Sequence, residues 1–179
     1  MLNIVIFGPP GSGKGTQSEK IIEKYDLAHI STGDILRQEM KEGSELGNNA
    51  KAYIDKGELV PDDVIIGMLE KKLESLGKLV DYPIALKEML LRRGEDVNVM
   101  LNLEVPREEL IDRLLKRGQE SGRSDDNQET IEKRIKVYEE QTAPVIDFYK
   151  NEGTYRPIHG VGDIEEIFGR ICEAIDSVR

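Results

Sequence analysis

The sequence predicts an α/β protein: a parallel sheet with helices on both faces. Three observations carry this. Leu2 to Phe7 is an apolar run broken only by Asn3, as a strand buried on both faces requires. Beyond it, short β-like runs alternate with longer helical stretches, the pattern of right-handed crossovers between parallel strands. The first strand also runs directly into a glycine-rich turn, Gly8-Pro9-Pro10-Gly11-Ser12-Gly13-Lys14-Gly15-Thr16, that opens a helix. Sheets of this kind bind ligands at the carboxyl ends of their strands.

The elements follow in order. A helix over Gly13 to Lys24 succeeds the first strand. Ala28-His29-Ile30-Ser31 reads as a weak second strand and Lys78-Leu79-Val80-Asp81 as a third. Val97 to Val105 (VNVMLNLEV) is the clearest strand after the first. Tyr155 to His159 is the fifth, and Pro157 favours a sheet edge because it cannot donate to a ladder. A helix after Pro106 is expected to end with Asp112 to Arg117. A long segment from about Asp126 to Tyr149 keeps Ile131, Ile135 and Tyr138 on one side. The last helix starts at Asp163, with Glu166 three residues on as a capping box, and Ile164, Ile167, Phe168, Ile171 and Ile175 form one apolar stripe. There is no internal repeat, low-complexity tract or interdomain linker, so residues 1–179 read as a single domain.

Composition narrows the function. Hydrophobic residues make up 38% and charged residues 34%, and the net charge is −10. That balance opposes non-specific binding to nucleic acid or anionic lipid. A site for an anionic substrate must therefore be built locally, from backbone amides and clustered arginines. The single cysteine, Cys172, excludes an intrachain disulfide and a four-cysteine zinc site, and suits a reducing cytoplasm. The N-terminus has no basic region ahead of its short apolar run, so no signal peptide is expected. No run reaches the ~18 apolar residues of a membrane span.

The glycine-rich turn contains G-x-x-x-x-G-K. Its glycines let successive N–H groups point inward at phosphate oxygens. The helix N-terminus adds a fixed positive potential, and Lys14 adds a mobile point charge for the β- and γ-phosphates. The alternative is an ordinary strand-to-helix turn. The strand before it and the helix after it favour a nucleotide phosphate loop.

GPPGSGKGTQ, with Gly15 between Lys14 and Thr16 and Gln17 after, resembles the phosphate loop of adenylate kinases, the P-loop nucleoside monophosphate kinases. Further matches follow in family order along nearly the whole chain. The resemblance implies a three-layer P-loop sandwich with a five-stranded parallel sheet in the order 2-3-1-4-5. It implies ATP contacts at Gly8, Pro10, Gly11, Ser12, Gly13, Lys14, Gly15 and Thr16. His29-Ile30-Ser31-Thr32-Gly33-Asp34-Ile35-Leu36-Arg37 resembles the monophosphate-binding segment. There Ser31 or Thr32 can cap the next helix, Thr32 sits near the AMP base, and the fork of Arg37 can hold a phosphate bidentately. Lys51 to Val60 resembles the segment whose backbone closes around the base at Gly57, Leu59 and Val60. An AMP-binding helical insertion over residues 31–60 is therefore expected.

Gly118 to Asn127 is polar and contains glycine, and it resembles the lid of the short-lid form, which carries no structural zinc. By resemblance, Arg113 stacks on the ATP adenine, while Arg117, Arg123 and Arg134 face the phosphates as catalytic charges and Asp125 and Asp126 pair with arginines across the closed lid. Any one of these arginines could instead be surface charge, since helix ends favour arginine. As a set, four at family spacing in an acidic protein point to an anion site. The resemblance further implies Mg2+ with ATP, the partners ATP, AMP and ADP, and a cytoplasmic monomer. His29, His159 and Cys172 read as structural, and Glu139-Glu140 and Glu165-Glu166 as solvated faces.

The resemblance breaks at Leu79-Val80-Asp81-Tyr82-Pro83-Ile84-Ala85-Leu86-Lys87. The family places Asp-Gly-aromatic-Pro-Arg-Thr and a following Gln there, to clamp the AMP phosphate and read the adenine. Here Asp81 and Tyr82-Pro83 remain, the Gly, Arg-Thr and Gln are absent, and the stretch is shorter. Either the chain lacks the segment, or residues are missing from the sequence. The intact register on both sides favours the second, and an unbroken backbone from Leu76 to Leu90 would sink it. Asp81, at a strand end beside the phosphate loop, is a candidate to orient magnesium-bound water, or else a turn cap. Three functions stand open: an adenylate kinase, a kinase with UMP or CMP as acceptor, and a nucleotide-binding protein that has lost catalysis. Thr32 argues for AMP, and the full arginine set argues against the third.

Overall fold

The computed structural model describes residues 2–29, 31–61, 65, 96–123 and 125–179. The sheet built from them has three parallel strands, β1 (Ile4–Phe7), β2 (Val99–Glu104) and β3 (Tyr155–His159), in the order β1-β2-β3. Ile4 pairs with Val99, Phe7 with Asn102, Met100 with Tyr155 and Glu104 with His159. These are the first, fourth and fifth expected strands, in the relative order expected. Pro157 lies on the outer strand of the three. Ala28, His29 and Ser31 join no ladder among the described residues. Ile30, the expected strand Lys78 to Asp81, the candidate Asp81 and the shortened stretch through Lys87 lie outside the described residues, as does the backbone test from Leu76 to Leu90.

The sheet is buried on both faces because its strands alternate between two cores. Val5, Phe7 and Met100 face one, with Leu36, Ala50, Val60 and Tyr149. Ile4, Val99, Leu101, Leu103 and Ile158 face the other, with Ile21, Ile167, Ile171 and Ile175. Apart from Val60 and Tyr149, these partners come from the helices α1 (Lys14–Tyr25), α2 (Thr32–Glu42), α3 (Glu45–Ile54) and, near the C-terminus, α7 (Ile164–Asp176). Leu101 has no exposed surface. Leu101→Ala is expected to lower the unfolding free energy by about 2–5 kcal/mol, the range for a buried leucine whose cavity cannot collapse. Urea unfolding followed by circular dichroism measures this.

A third cluster, Leu110, Leu114, Ile131 and Ile135, joins α4 (Arg107–Ser121) to α5 (Gln128–Val137). Two sequence expectations need correction here. The helix after Pro106 does not end near Arg117; it runs four residues further and stops at Gly122, which adopts the left-handed conformation at φ 64°. The segment from Asp126 to Tyr149 is not one helix. It breaks into α5, a π-helical turn at Tyr138–Thr142 and α6 (Val145–Asn151). Pro144 has no N–H and its ring clashes with a preceding carbonyl, so the ladder cannot pass it unbroken. The expected capping box at α7 is present: the Asp163 carboxylate accepts from Glu166 N at 2.8 Å, and the Glu166 carboxylate accepts from Asp163 N at 3.2 Å.

Candidate nucleotide site

The loop after β1 is shaped by what surrounds it. Gly8 has φ 146°, and a Cβ there would lie 2.8 Å from Ser12 Oγ and 2.9 Å from the Leu103 carbonyl oxygen. Gly11 has φ 83°, and a Cβ there would meet Leu114 Cγ at 2.8 Å. The loop is thus wedged between β2 and α4, in a path that only glycine follows without strain. Ser12 N donates to the Pro9 carbonyl at 3.1 Å and tightens the turn. Lys14 Nζ folds back over the loop and donates to the carbonyls of Gly8 at 2.7 Å and Pro9 at 2.9 Å. No side chain caps the α1 N-terminus, where Gly13 has φ 93°. Gly15 and Thr16 are exposed in its first turn, and that turn contains no acidic residue.

Leu110 and Leu114 of α4 face the loop and the core, and Arg113 and Arg117 flank them on the same side of the helix by their i, i+3 and i+4 spacing. Arg113 Nε donates to Glu109 at 2.8 Å and its Nη2 to the Gly160 carbonyl at 3.1 Å, next to the turn between β3 and α7. Arg117 grips Asp126 bidentately, Nε at 2.6 Å and Nη2 at 2.8 Å. Arg134 Nη1, from α5, reaches Asp126 Oδ1, which Arg117 Nη2 also holds, and the Asp125 carboxylate, each at 2.9 Å. The Asp126 side chain is fully buried. Burial pushes its carboxyl up, but Arg117 and Arg134 outweigh burial and hold it below the usual carboxylate range. The expected pairing of Asp125 and Asp126 with arginines is therefore formed.

Arg123 differs from these two. It makes no ion pair with a described residue. Burial, then the neighbouring guanidinium groups of Arg37 and Arg117, push it below the ordinary arginine value. Arginine remains charged at such values, so Arg123 stays cationic beside Arg37 and Arg117, whose own charges are met by Asp34 and Asp126. In a chain of net charge −10, Arg123 beside two further guanidinium groups is a local concentration of positive charge.

Arg37 lies on α2, where Ser31 caps the helix by accepting from Asp34 N at 3.2 Å. Of the two caps weighed, Ser31 rather than Thr32 takes that role, and Thr32 opens the first turn. Arg37 pairs with Asp34 and lies over Gly33, where a Cβ would be 3.1 Å from its Nη2. Gly57 is buried against α5, Leu59 is exposed, and Val60 is buried in the core. In residues 57–60 the exposed side chains are Glu58 and Leu59.

The structure thus brings Arg37, Arg117 and Arg123 together. It places Lys14 on a loop that shares α4 with Arg113 and Arg117. The partners that orient the arginines escaped the sequence, apart from Asp125 and Asp126. A signal for Glu109 was present but not used, since a Glu four residues before an Arg on a helix is a recurrent pair. The Gly160 carbonyl had no signal, because nothing local marks it. Among the described residues, no group of three His, Cys, Asp or Glu side chains could hold a metal ion. No described helix is long and apolar enough to cross a membrane.

A family model described as adenylate kinase matches residues 6–154. The chain is 58% identical to an adenylate kinase of Phocaeicola vulgatus over 189 aligned positions, covering 99% of this chain and 100% of that protein. It is 57% identical to one of Bacteroides thetaiotaomicron with the same coverage. It is also 57% identical to one of Parabacteroides distasonis over 190 positions, covering both chains fully. An alignment of 189 positions exceeds this chain's 179 residues by ten, so the first relative carries at least ten residues without a counterpart here. With a family match over most of its length and relatives more than half identical from end to end, the chain belongs to the adenylate kinase family.

Proposed function

We propose that this chain catalyses reversible phosphoryl transfer from ATP to AMP, giving two molecules of ADP. The observation that carries this is Arg123, without an ion pair to a described residue, set beside the paired guanidinium groups of Arg37 and Arg117. Binding a single triphosphate needs the phosphate loop. A second set of guanidinium groups is needed when a second phosphate must approach the first.

The donor site is the loop from Gly8 to Thr16, including Pro10, Ser12, Gly13 and Gly15, with Lys14 released from its two carbonyls to the β- and γ-phosphates. Arg113, fixed by Glu109 and Gly160, supports the ATP base. The acceptor site is the helical insertion over residues 31–60, with Thr32, Gly57, Leu59 and Val60 at the base and Arg37 at the phosphate. Arg117, Arg123 and Arg134 balance the dispersed negative charge of the transferring group, and residues 118–127 close over it as a lid. In the reaction an AMP phosphate oxygen forms a bond to the γ-phosphorus while the bond from that phosphorus to the β–γ bridging oxygen breaks. The former ATP leaves as ADP and the acceptor becomes ADP. The attacking oxygen is already anionic, so no general base is required.

The described residues do not form a protein cage for magnesium. Magnesium is assigned to the nucleotide phosphates and water, with Asp81 as a candidate to orient that water. The remaining strands are proposed to complete a five-stranded sheet in the order 2-3-1-4-5, in a cytoplasmic, monomeric enzyme. UMP or CMP as acceptor, or binding without catalysis, is not favoured by relatives that are uniformly named adenylate kinases. Coupled assays of ADP formation with AMP, UMP and CMP at equal concentration test the proposal. Turnover is expected to be fastest with AMP. Equal or faster turnover with UMP or CMP would reassign the acceptor, and ATP binding without any ADP would remove catalysis.

A further inference from the structure

The stretch after α3 is fastened to α5 by contacts that the transfer reaction does not itself use. Gly57 has φ 68°, and a Cβ there would lie 3.0 Å from Arg134 Cγ, 3.1 Å from Thr130 Cγ2 and 3.2 Å from the Thr130 carbonyl oxygen. The backbone is thus pressed onto α5 as closely as glycine permits. The next residue, Glu58, pairs with Lys133 Nζ at 2.9 Å. Lys133 first, and Lys56 to a lesser extent, hold the Glu58 carboxyl below the usual range. Two residues on, Val60 is buried in the core. The partners on α5 are consecutive: Lys133 takes Glu58, and Arg134 takes Asp125 and Asp126.

We propose that the Glu58–Lys133 ion pair is a positioning device for the acceptor nucleotide. It registers the backbone of residues 57–60 against the helix that carries Arg134, so that the base and the phosphate of one monophosphate meet a single platform. This rests on the assignment of residues 57–60 to the acceptor site. Each side chain is a little under half exposed, 45% for Lys133 and 43% for Glu58, so the pair is weak in isolation. Its effect comes through population. Only a chain with the stretch seated on α5 is competent for the acceptor, and apparent affinity falls with the competent fraction. Residues 58 and 133 are far apart in sequence, so no local helix geometry substitutes for the contact. The donor loop is held by β2 and α4 instead, and it does not depend on this contact.

The test is initial-rate kinetics of Glu58→Lys, Lys133→Glu and the double reversal in the full chain, with melting temperature followed alongside. Each single reversal is expected to raise KM for AMP by about three- to fivefold at low salt, with KM for ATP unchanged. The double reversal restores the pair with opposite polarity and returns KM for AMP towards the wild-type value. The single-variant effect shrinks at about 0.5 M salt, because exposed charges are screened. The inference is overturned if the single reversals leave KM for AMP unchanged, if the double reversal is no better than the worse single, or if KM for ATP rises equally. A wild-type chain that makes no ADP from AMP would instead remove the acceptor assignment, and the inference with it.

Discussion

Replacing Lys14 with methionine is expected to lower kcat by about 10²–10³-fold, the loss typical of removing one preorganised donor to transition-state charge. The side chain now spans the loop, with Nζ bonded to two carbonyls. Both acceptors belong to the loop that would receive the nucleotide, so the ammonium is stored where it is used. Methionine keeps much of the aliphatic stem and removes the charge. KM for ATP is expected to change less than kcat, since backbone amides and the helix terminus still hold the phosphates. A single-turnover measurement of ADP formation separates the two. A kcat within a few-fold of wild type would show that Lys14 does not act on the transferring group. Because Nζ also braces Gly8 and Pro9, a melting curve should accompany the kinetics.

Removing the Asp126 carboxylate is expected to have the largest effect on stability of any change at the site. Asp126→Ala leaves Arg117 and Arg134 partly buried without their shared counter-ion, and breaking such an arrangement costs about 3–5 kcal/mol. The lower end applies, because Arg117 keeps 34% of its side chain exposed. For a domain of this size, a loss of about 3 kcal/mol corresponds to a melting temperature lower by about 6–12 °C. The pH dependence has a definite sign. The folded-state value is lowered, so this carboxylate contributes its stability fully above the unfolded value of about 3.9. That contribution fades as pH falls through the folded value. The gap in unfolding free energy between wild type and Asp126→Asn should therefore be widest near neutral pH and close below about pH 4. A gap independent of pH would mean that the carboxylate is not ionised in the folded state, or that its pairing adds nothing.

The parts of the fold legible in the sequence are those where short-range pattern and burial agree. The run VNVMLNLEV becomes β2 because Val99, Leu101 and Leu103 enter one core while Met100 enters the other, so both faces need apolar side chains at the strand's centre. Asp163 and Glu166 form their capping box because both partners lie within one turn. The phosphate loop was legible because its glycines are set by chemistry at one place in the chain. The break at Tyr138–Thr142 was not. The apolar spacing of Ile131, Ile135 and Tyr138 continues towards it, and only Pro144 hinted at the interruption.

The candidate site divides in the same way. Arg113, Arg117, Arg123 and Arg134 could be picked out by spacing and family pattern. What each one does is set by partners remote in sequence or by the absence of a partner. Arg117 and Arg134 share Asp126, whereas Arg123 faces Arg37 and Arg117. No local signal separates a paired arginine from an unpaired one four or more residues away. The Glu58–Lys133 contact joins residues 75 positions apart for the same reason.

The central claim is that one chain holds a donor triphosphate and an acceptor monophosphate at once, with their phosphates brought together by Lys14 and the arginines. Titration calorimetry with a dinucleotide that links two adenosines through a chain of phosphates tests it most directly. Binding at one molecule per chain is predicted, at least a hundredfold tighter than AMP alone, as expected when two sites are joined by a linker of matching span. Both Lys14→Met and Arg123→Ala should weaken it. A dinucleotide that binds no more tightly than ATP, or that is indifferent to Arg123→Ala, would contradict the two-site account.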